Sequence, residues 1–149
     1  MTQPPPPPPS DSLLSLRTKI QEYLKEILGS SPLPDASGNY SIQYGSTRVF
    51  LFPEEMSSGK TALQAYAFVT KGSKVTPELT KFLLKANGNL RFGKFCLTND
   101  ETMILFGHCL LGDKMDREEL QTVMLAIVGT ADEYDDKVVG MAGGKRFVD

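Results

Sequence analysis

One stretch, residues 90–120, restricts the fold more than any other: it reads as a β-hairpin running straight into a capped helix. Residues 90 to 97 (LRFGKFCL) and 102 to 111 (TMILFGHCLL) are apolar, strand-like runs. Asn99-Asp100 between them suits a tight turn that pairs them antiparallel. With Asn99 and Asp100 at the centre of the turn, Leu97 faces Thr102, Phe95 faces Ile104 and Gly93 faces Phe106. Side chains then sort by parity. One face holds Gly93, Phe95, Leu97, Ile104, Phe106 and Leu110, apolar enough for a core, with Phe106 covering the bare backbone of Gly93. The other holds Phe92, Lys94, Cys96, Met103, Leu105, Cys109 and Leu111. A half-exposed sheet is polar on its outer side, so this second face is expected to meet a helix, another subunit or a ligand.

The helix that follows is announced by residues 113–119. Asp116 and Glu119 form a D-x-x-E capping box, and Met115 and Leu120 take the two positions of a hydrophobic staple. Leu120, Val123, Met124, Ile127, Val128 and Ala131 continue its apolar stripe, with Gly129 a place where it can bend. A second helix opens at Thr76-Pro77-Glu78, as N-cap, N1 proline and acidic first turn. It buries Leu79, Phe82, Leu83 and Ala86 and closes at Asn87-Gly88. Nearer the start, Asp11 or Ser12 caps a first helix whose Leu13, Leu16, Ile20, Leu24, Ile27 and Leu28 recur at three and four, and Gly29 ends it. Between the first two helices, residues 40–44, 47–52 and 62–70 read as a three-stranded meander. In its last strand Leu63, Ala65, Ala67 and Val69 alternate with Gln64, Tyr66, Phe68 and Thr70, so neither face is wholly polar. The predicted fold is α+β: a twisted antiparallel sheet of five strands and three helices in the order α-β-β-β-α-β-β-α.

At 149 residues, two fifths of them apolar, the chain can bury one sizeable core. A single domain is expected over residues 12–149. Residues 1–11, with six consecutive prolines, read as a stiff, disordered polyproline II arm outside it. A net charge of −2 argues against nucleic acid, which calls for a clustered basic face. No apolar run is long enough to span a membrane, and no basic-then-apolar signal opens the chain. The two cysteines share a face in the expected register but lie roughly 20 Å apart along the strands, too far for a disulfide. Free, buried thiols suit a reducing cytoplasm or stroma.

Catalytic chemistry is sparse. Gly59-Lys60-Thr61 has the ending of a phosphate loop, but Glu54 stands where its first glycine belongs and a strand follows. Residues 140–145 (GMAGGK) are one residue short of that spacing, and Arg146 replaces the magnesium-binding hydroxyl. The lone histidine, His108, is read as hydrogen-bonded within the sheet, with no nucleophile arguably beside it. Asp132, Glu133, Asp135 and Asp136 are the residues an alternative function, a small-molecule- or metal-binding enzyme, would use. Their spacing is not that of a calcium loop, and a solvated face or pairing with Lys137, Lys145 and Arg146 is the reading preferred here. No catalytic residue, metal or cofactor is therefore assigned.

Several segments together resemble a known family. They are residues 87–95 (NGNLRFGKF), the hairpin end Leu110-Leu111-Gly112-Asp113, the helix start Met115-Asp116-Arg117-Glu118-Glu119-Leu120, and the stretch 131–136 (ADEYDD) with Gly143-Gly144. In these and in its order of elements the chain is similar, from about residue 13 onward, to the YbjN family in its cyanobacterial form. That family is similar in fold to type III secretion chaperones such as the Tir chaperone. The resemblance implies a non-catalytic peptide- or protein-binding module, chaperone-like or regulatory and often a homodimer. The residues expected to meet the partner are Phe92, Lys94, Met103 and Leu105 of the hairpin's second face. The proline arm is no part of the resemblance.

Overall fold

The computed structural model describes residues 2–147. Residues 2–9 are exposed and carry no regular secondary structure. Ser10, rather than Asp11 or Ser12, caps the first helix, α1 (Asp11–Leu28), its hydroxyl accepting from the Leu13 amide at 3.2 Å. Leu16, Ile20 and Leu24 form its buried stripe, and Gly29, at φ 70°, ends it. Deleting residues 2–9 while sparing Ser10 removes no cap and no core side chain. The expected change in unfolding free energy is under about 0.5 kcal/mol in a urea titration, and a loss well beyond that means the arm packs on the body.

Strands β1 (Tyr40–Tyr44), β2 (Thr47–Glu55) and β3 (Thr61–Lys71) form the meander; helix α2 (Pro77–Asn89) follows; strands β4 (Lys94–Leu97) and β5 (Met103–Leu111) make the hairpin; helix α3 (Arg117–Ala142) and a two-residue strand β6 (Lys145–Arg146) complete the order. The sheet is antiparallel in the order β1-β2-β3-β5-β4. These are the five expected strands, and off this path β6 pairs with β3 as a short sixth strand. Two residues with two glycines before them carry no periodic signal, so only tertiary pairing makes this strand.

The three helices contribute to one buried cluster with a single face of the sheet: Tyr40, Ile42, Val49, Leu51, Leu63, Ala65, Ala67, Phe95, Ile104, Phe106 and Leu110. A bulge in β3 explains why polar Thr70 joins it. Phe68 pairs with Leu105 and Thr70 with Ile104, so the extra residue, Val69, turns inward along with Thr70.

In the hairpin Phe95 faces Phe106 and Leu97 faces Ile104, two residues away from the expected pairing. The turn is wider than Asn99-Asp100 alone. The Thr98 amide donates to the Met103 carbonyl (3.0 Å), and Glu101 stands at φ 58°. Hydrogen bonds from the Thr98 hydroxyl and from the Thr102 hydroxyl and amide hold the Asp100 carboxyl down at about 2. A shift of two keeps parity, so the face assignment within β4 and β5 stands. Helix α2 runs past Gly88 to Asn89, which delays β4 to Lys94. The Asn87 side chain then meets both backbone groups of Phe95, accepting from its amide (2.6 Å) and donating to its carbonyl (3.3 Å).

The start of α3 is as expected. The Glu119 amide donates to Asp116 Oδ1 (2.8 Å), the Asp116 amide donates to Glu119 Oε2 (3.0 Å), and Met115 and Leu120 are both buried. Asp116→Ala should therefore cost about 0.5–2 kcal/mol by urea denaturation. A neutral result means that the helix is held by other groups.

Candidate functional site

Because all three helices cover one face, the other lies bare, and its chemistry follows from the alternation in four strands. Adjacent strands bring Phe50 beside Tyr66, Phe52 beside Gln64, Phe68 beside Leu105, and Leu105 beside Cys96. Phe52 is 44% exposed, and Phe50, Tyr66, Phe68, Leu105, Cys96 and Met103 are half-buried. Four rings form a continuous strip: Phe50 and Tyr66 stack at 5.4 Å, Phe68 meets each of them edge-on at 5.6 Å, and Phe147 lies 4.9 Å from Phe68. Gly107, between Tyr66 and Lys94 in the cross-strand row, leaves this row without a side chain in its middle.

Polar groups frame the strip. Gln64 donates to Glu54 (3.1 Å), Arg48 donates to Ser41 (2.9 Å), and the Lys71 ammonium lies 5.7 Å from the centre of the Phe147 ring. Cys109 projects from the same face as an exposed free thiol. Desolvation pushes its pKa up, Glu54 adds to the shift, and Lys94 opposes it. A thiol held in its protonated form is a poor nucleophile. Cys96 is also free.

Lys94, Met103 and Leu105 share the helix-free face as expected from the sequence. Phe92 does not, which corrects its assignment. It precedes β4, and Gly93 at φ 78° turns the chain there. The Phe92 ring meets His108 edge-on at 5.9 Å and borders a cleft of about 520 Å³ with Leu110, Lys114, Glu118 and Val123. His108 Nδ1 accepts from the Gly93 amide at 3.1 Å, the hydrogen-bonded sheet histidine anticipated above.

Asp132, Glu133 and Asp135 of α3 have partners within the chain. Asp132 accepts from the hydroxyls of Ser46 (3.1 Å) and Thr47 (2.6 Å), tying the β1–β2 turn to the helix. Glu133 pairs with Lys137 at 3.1 Å. Asp135 is buried, and desolvation raises its pKa. Among the described residues no three His, Cys, Asp or Glu side chains are grouped to hold a metal ion.

Sequence reasoning missed Phe50, Phe52, Tyr66, Phe68 and Phe147 as members of the exposed strip. The signal was present in the period-two alternation of β2 and β3, but alternation alone does not say which face the helices take.

The family described as T3SS (YopN, CesT) and YbjN peptide-binding chaperone 1 matches residues 15–149. No curated protein matches the chain. Among solved structures, a chain of the ExsC–ExsE complex is similar at TM-score 0.67 with 14% identity, over 87% of this chain and 97% of that one. A chain of the HopA1–SchA chaperone–effector complex is similar at TM-score 0.68 with 11% identity, over 87% and 99%. The Yersinia pestis type III secretion chaperone SycH, in complex with a stable fragment of YscM2, is similar at TM-score 0.58 with 17% identity, over 79% and 98%.

Proposed function

We propose, from the premise that this chain belongs to the family of T3SS and YbjN peptide-binding chaperones, that it holds a protein or peptide segment on the helix-free face of its sheet without catalysis. The observation that carries this is the strip of Phe50, Tyr66 and Phe68 with Leu105, Met103 and Cys96 beside it. Half-buried aromatic rings on a twisted sheet supply large contact area with few rotamers to freeze. Met103 adds a side chain that repacks around different ligands. Lys94 stands at the edge of the strip as the cation for an acidic group on the partner.

The absence of catalysis is supported by the use of His108 Nδ1 in a backbone hydrogen bond and by the desolvation that raises the pKa of the Cys109 thiol. A second copy of the chain is the other occupant proposed for exposed apolar surface, giving a homodimer. Two free cysteines fit a reducing cytoplasm. Among the described residues no helix is long and apolar enough to cross a membrane.

The experiment is selection of binding peptides from a displayed library, followed by affinity measurement on Leu105→Asp. A central charge on the strip should weaken selected ligands by at least about 30-fold, while circular dichroism and melting stay native. Unchanged affinity places the binding surface elsewhere. Sedimentation equilibrium on the same variant reads the dimer in parallel.

A further inference from the structure

One end of the bare face is occupied by the chain's own residues. After α3, Gly143 (φ 68°) and Gly144 (φ 81°) turn the backbone toward the sheet. β6 then pairs Lys145 with Lys71 and Arg146 with Thr70, and the Phe147 amide donates to the Val69 carbonyl at 3.1 Å. This edge of β3 is available because β2 stops pairing with it at Phe50 and Tyr66, while β5 holds the opposite edge as far as Lys71.

Side-chain chemistry repeats at this end what the whole face offers. The Phe147 ring lies 4.9 Å from Phe68, the ring that links it to Phe50 and Tyr66, and the Lys71 ammonium lies near it. Asp132 and Asp135 of α3 line the same small cleft as Phe68, Val69 and Phe147. The seat thus has three parts: a bare strand edge for backbone hydrogen bonds, an aromatic floor, and carboxylates where a basic residue precedes the ring. The geometry points to this seat as a receptor for an extended basic–aromatic segment of a partner, which the chain's own Arg146-Phe147 fills until the partner arrives.

The occupant is suited to displacement. Its contacts include a two-residue ladder, a backbone bond from the Phe147 amide, a 3.4 Å hydrogen bond from Lys71 Nζ to the Phe147 carbonyl and the Phe147 ring against Phe68 and Lys71, all carried on a two-glycine hinge. Strand addition supplies affinity through the main chain and selectivity through alternate side chains, so a longer segment with the same two residues competes directly. The inference rests on the peptide-binding reading of this face and names the chemistry of its ligand.

The test uses a fluorescent Gly-Gly-Lys-Arg-Phe peptide, amidated at its end, with the full chain and its Phe147→Ala variant. With its own ring removed from the aromatic floor and its hold on the strand edge weakened, Phe147→Ala should bind the peptide at least tenfold more tightly than the wild-type chain. Peptides with alanine for the phenylalanine, or glutamate for the arginine, should lose at least tenfold on that variant. Equal affinity of the two chains, equal binding of the altered peptides, or no binding to either chain overturns the inference. Should Phe147→Ala fail to melt cooperatively, the wild-type chain decides by NMR. Saturating peptide should move the Phe147 amide resonance to its random-coil position, and an unmoved resonance overturns the inference. Library-selected ligands that still depend on Leu105 while this peptide leaves Phe147 in place leave the general reading standing and remove only the seat.

Discussion

Phe106→Ala is expected to lower the unfolding free energy by about 3–5 kcal/mol, the range for deleting a fully buried aromatic ring. Phe106 is 0% exposed and packs 4.9 Å from Phe95. Its cross-strand neighbour on β3 is Ala67 and the backbone beneath its ring is Gly93, so of its cross-strand neighbours only Phe95 on β4 is large enough to move toward the vacated volume. The surroundings can relax only partly, which places the cost at the cavity-forming end. Urea denaturation with an unchanged m-value checks it. A cost below about 1 kcal/mol means that the site collapses around the smaller side chain.

Gly93→Ala attacks the same contact from the backbone side. A Cβ there would lie 2.5 Å from Phe106 Cζ and 2.9 Å from the Gly107 carbonyl oxygen, at a φ of 78°. The left-handed conformation costs a non-glycine residue about 1–2 kcal/mol, and overpacking a fixed backbone about 1–3 more. The expected loss is therefore about 2–5 kcal/mol. Part of that collision is with the ring, so in a Phe106→Ala background the same substitution should cost at least about 1 kcal/mol less. Strict additivity in the double-mutant cycle means that glycine is required there for its backbone angle alone.

Much of this architecture was legible because local signals and global fold agree. The caps at Thr76 and Asp116, the stripes of α1 and α3 and the alternation of β5 each have one physical solution, and the structure adopts it. The hairpin register was not legible from Asn99-Asp100. The Asp100 side chain gathers Thr98 and Thr102 into a wider turn, a choice made by side-chain hydrogen bonds that a two-residue pattern does not contain. The faces were nevertheless sorted correctly in the strands, and the assignment failed only at Phe92, where Gly93 breaks parity. Lys94, Met103 and Leu105 share one face of the hairpin in sequence as in structure, but the aromatic half of that surface on β2 and β3 was not legible. Both faces of β3 carry apolar residues in sequence, and only the positions of the helices distinguish them.

The position of β3 in the sheet has a consequence for how the protein is made. Its edges are completed by β2, which is synthesised before it, by β5, some forty residues later, and by β6, about seventy-five residues later. A ribosome that has released only the meander therefore presents a central strand with one side unpaired, and the layer that covers the core stays incomplete until α3 has emerged. Pairings at such sequence separation put the loop-closure cost before the reward and slow the final collapse. The nascent chain thus spends an interval as an open-edged sheet, its central strand exposing the backbone groups that β5 and β6 later take up.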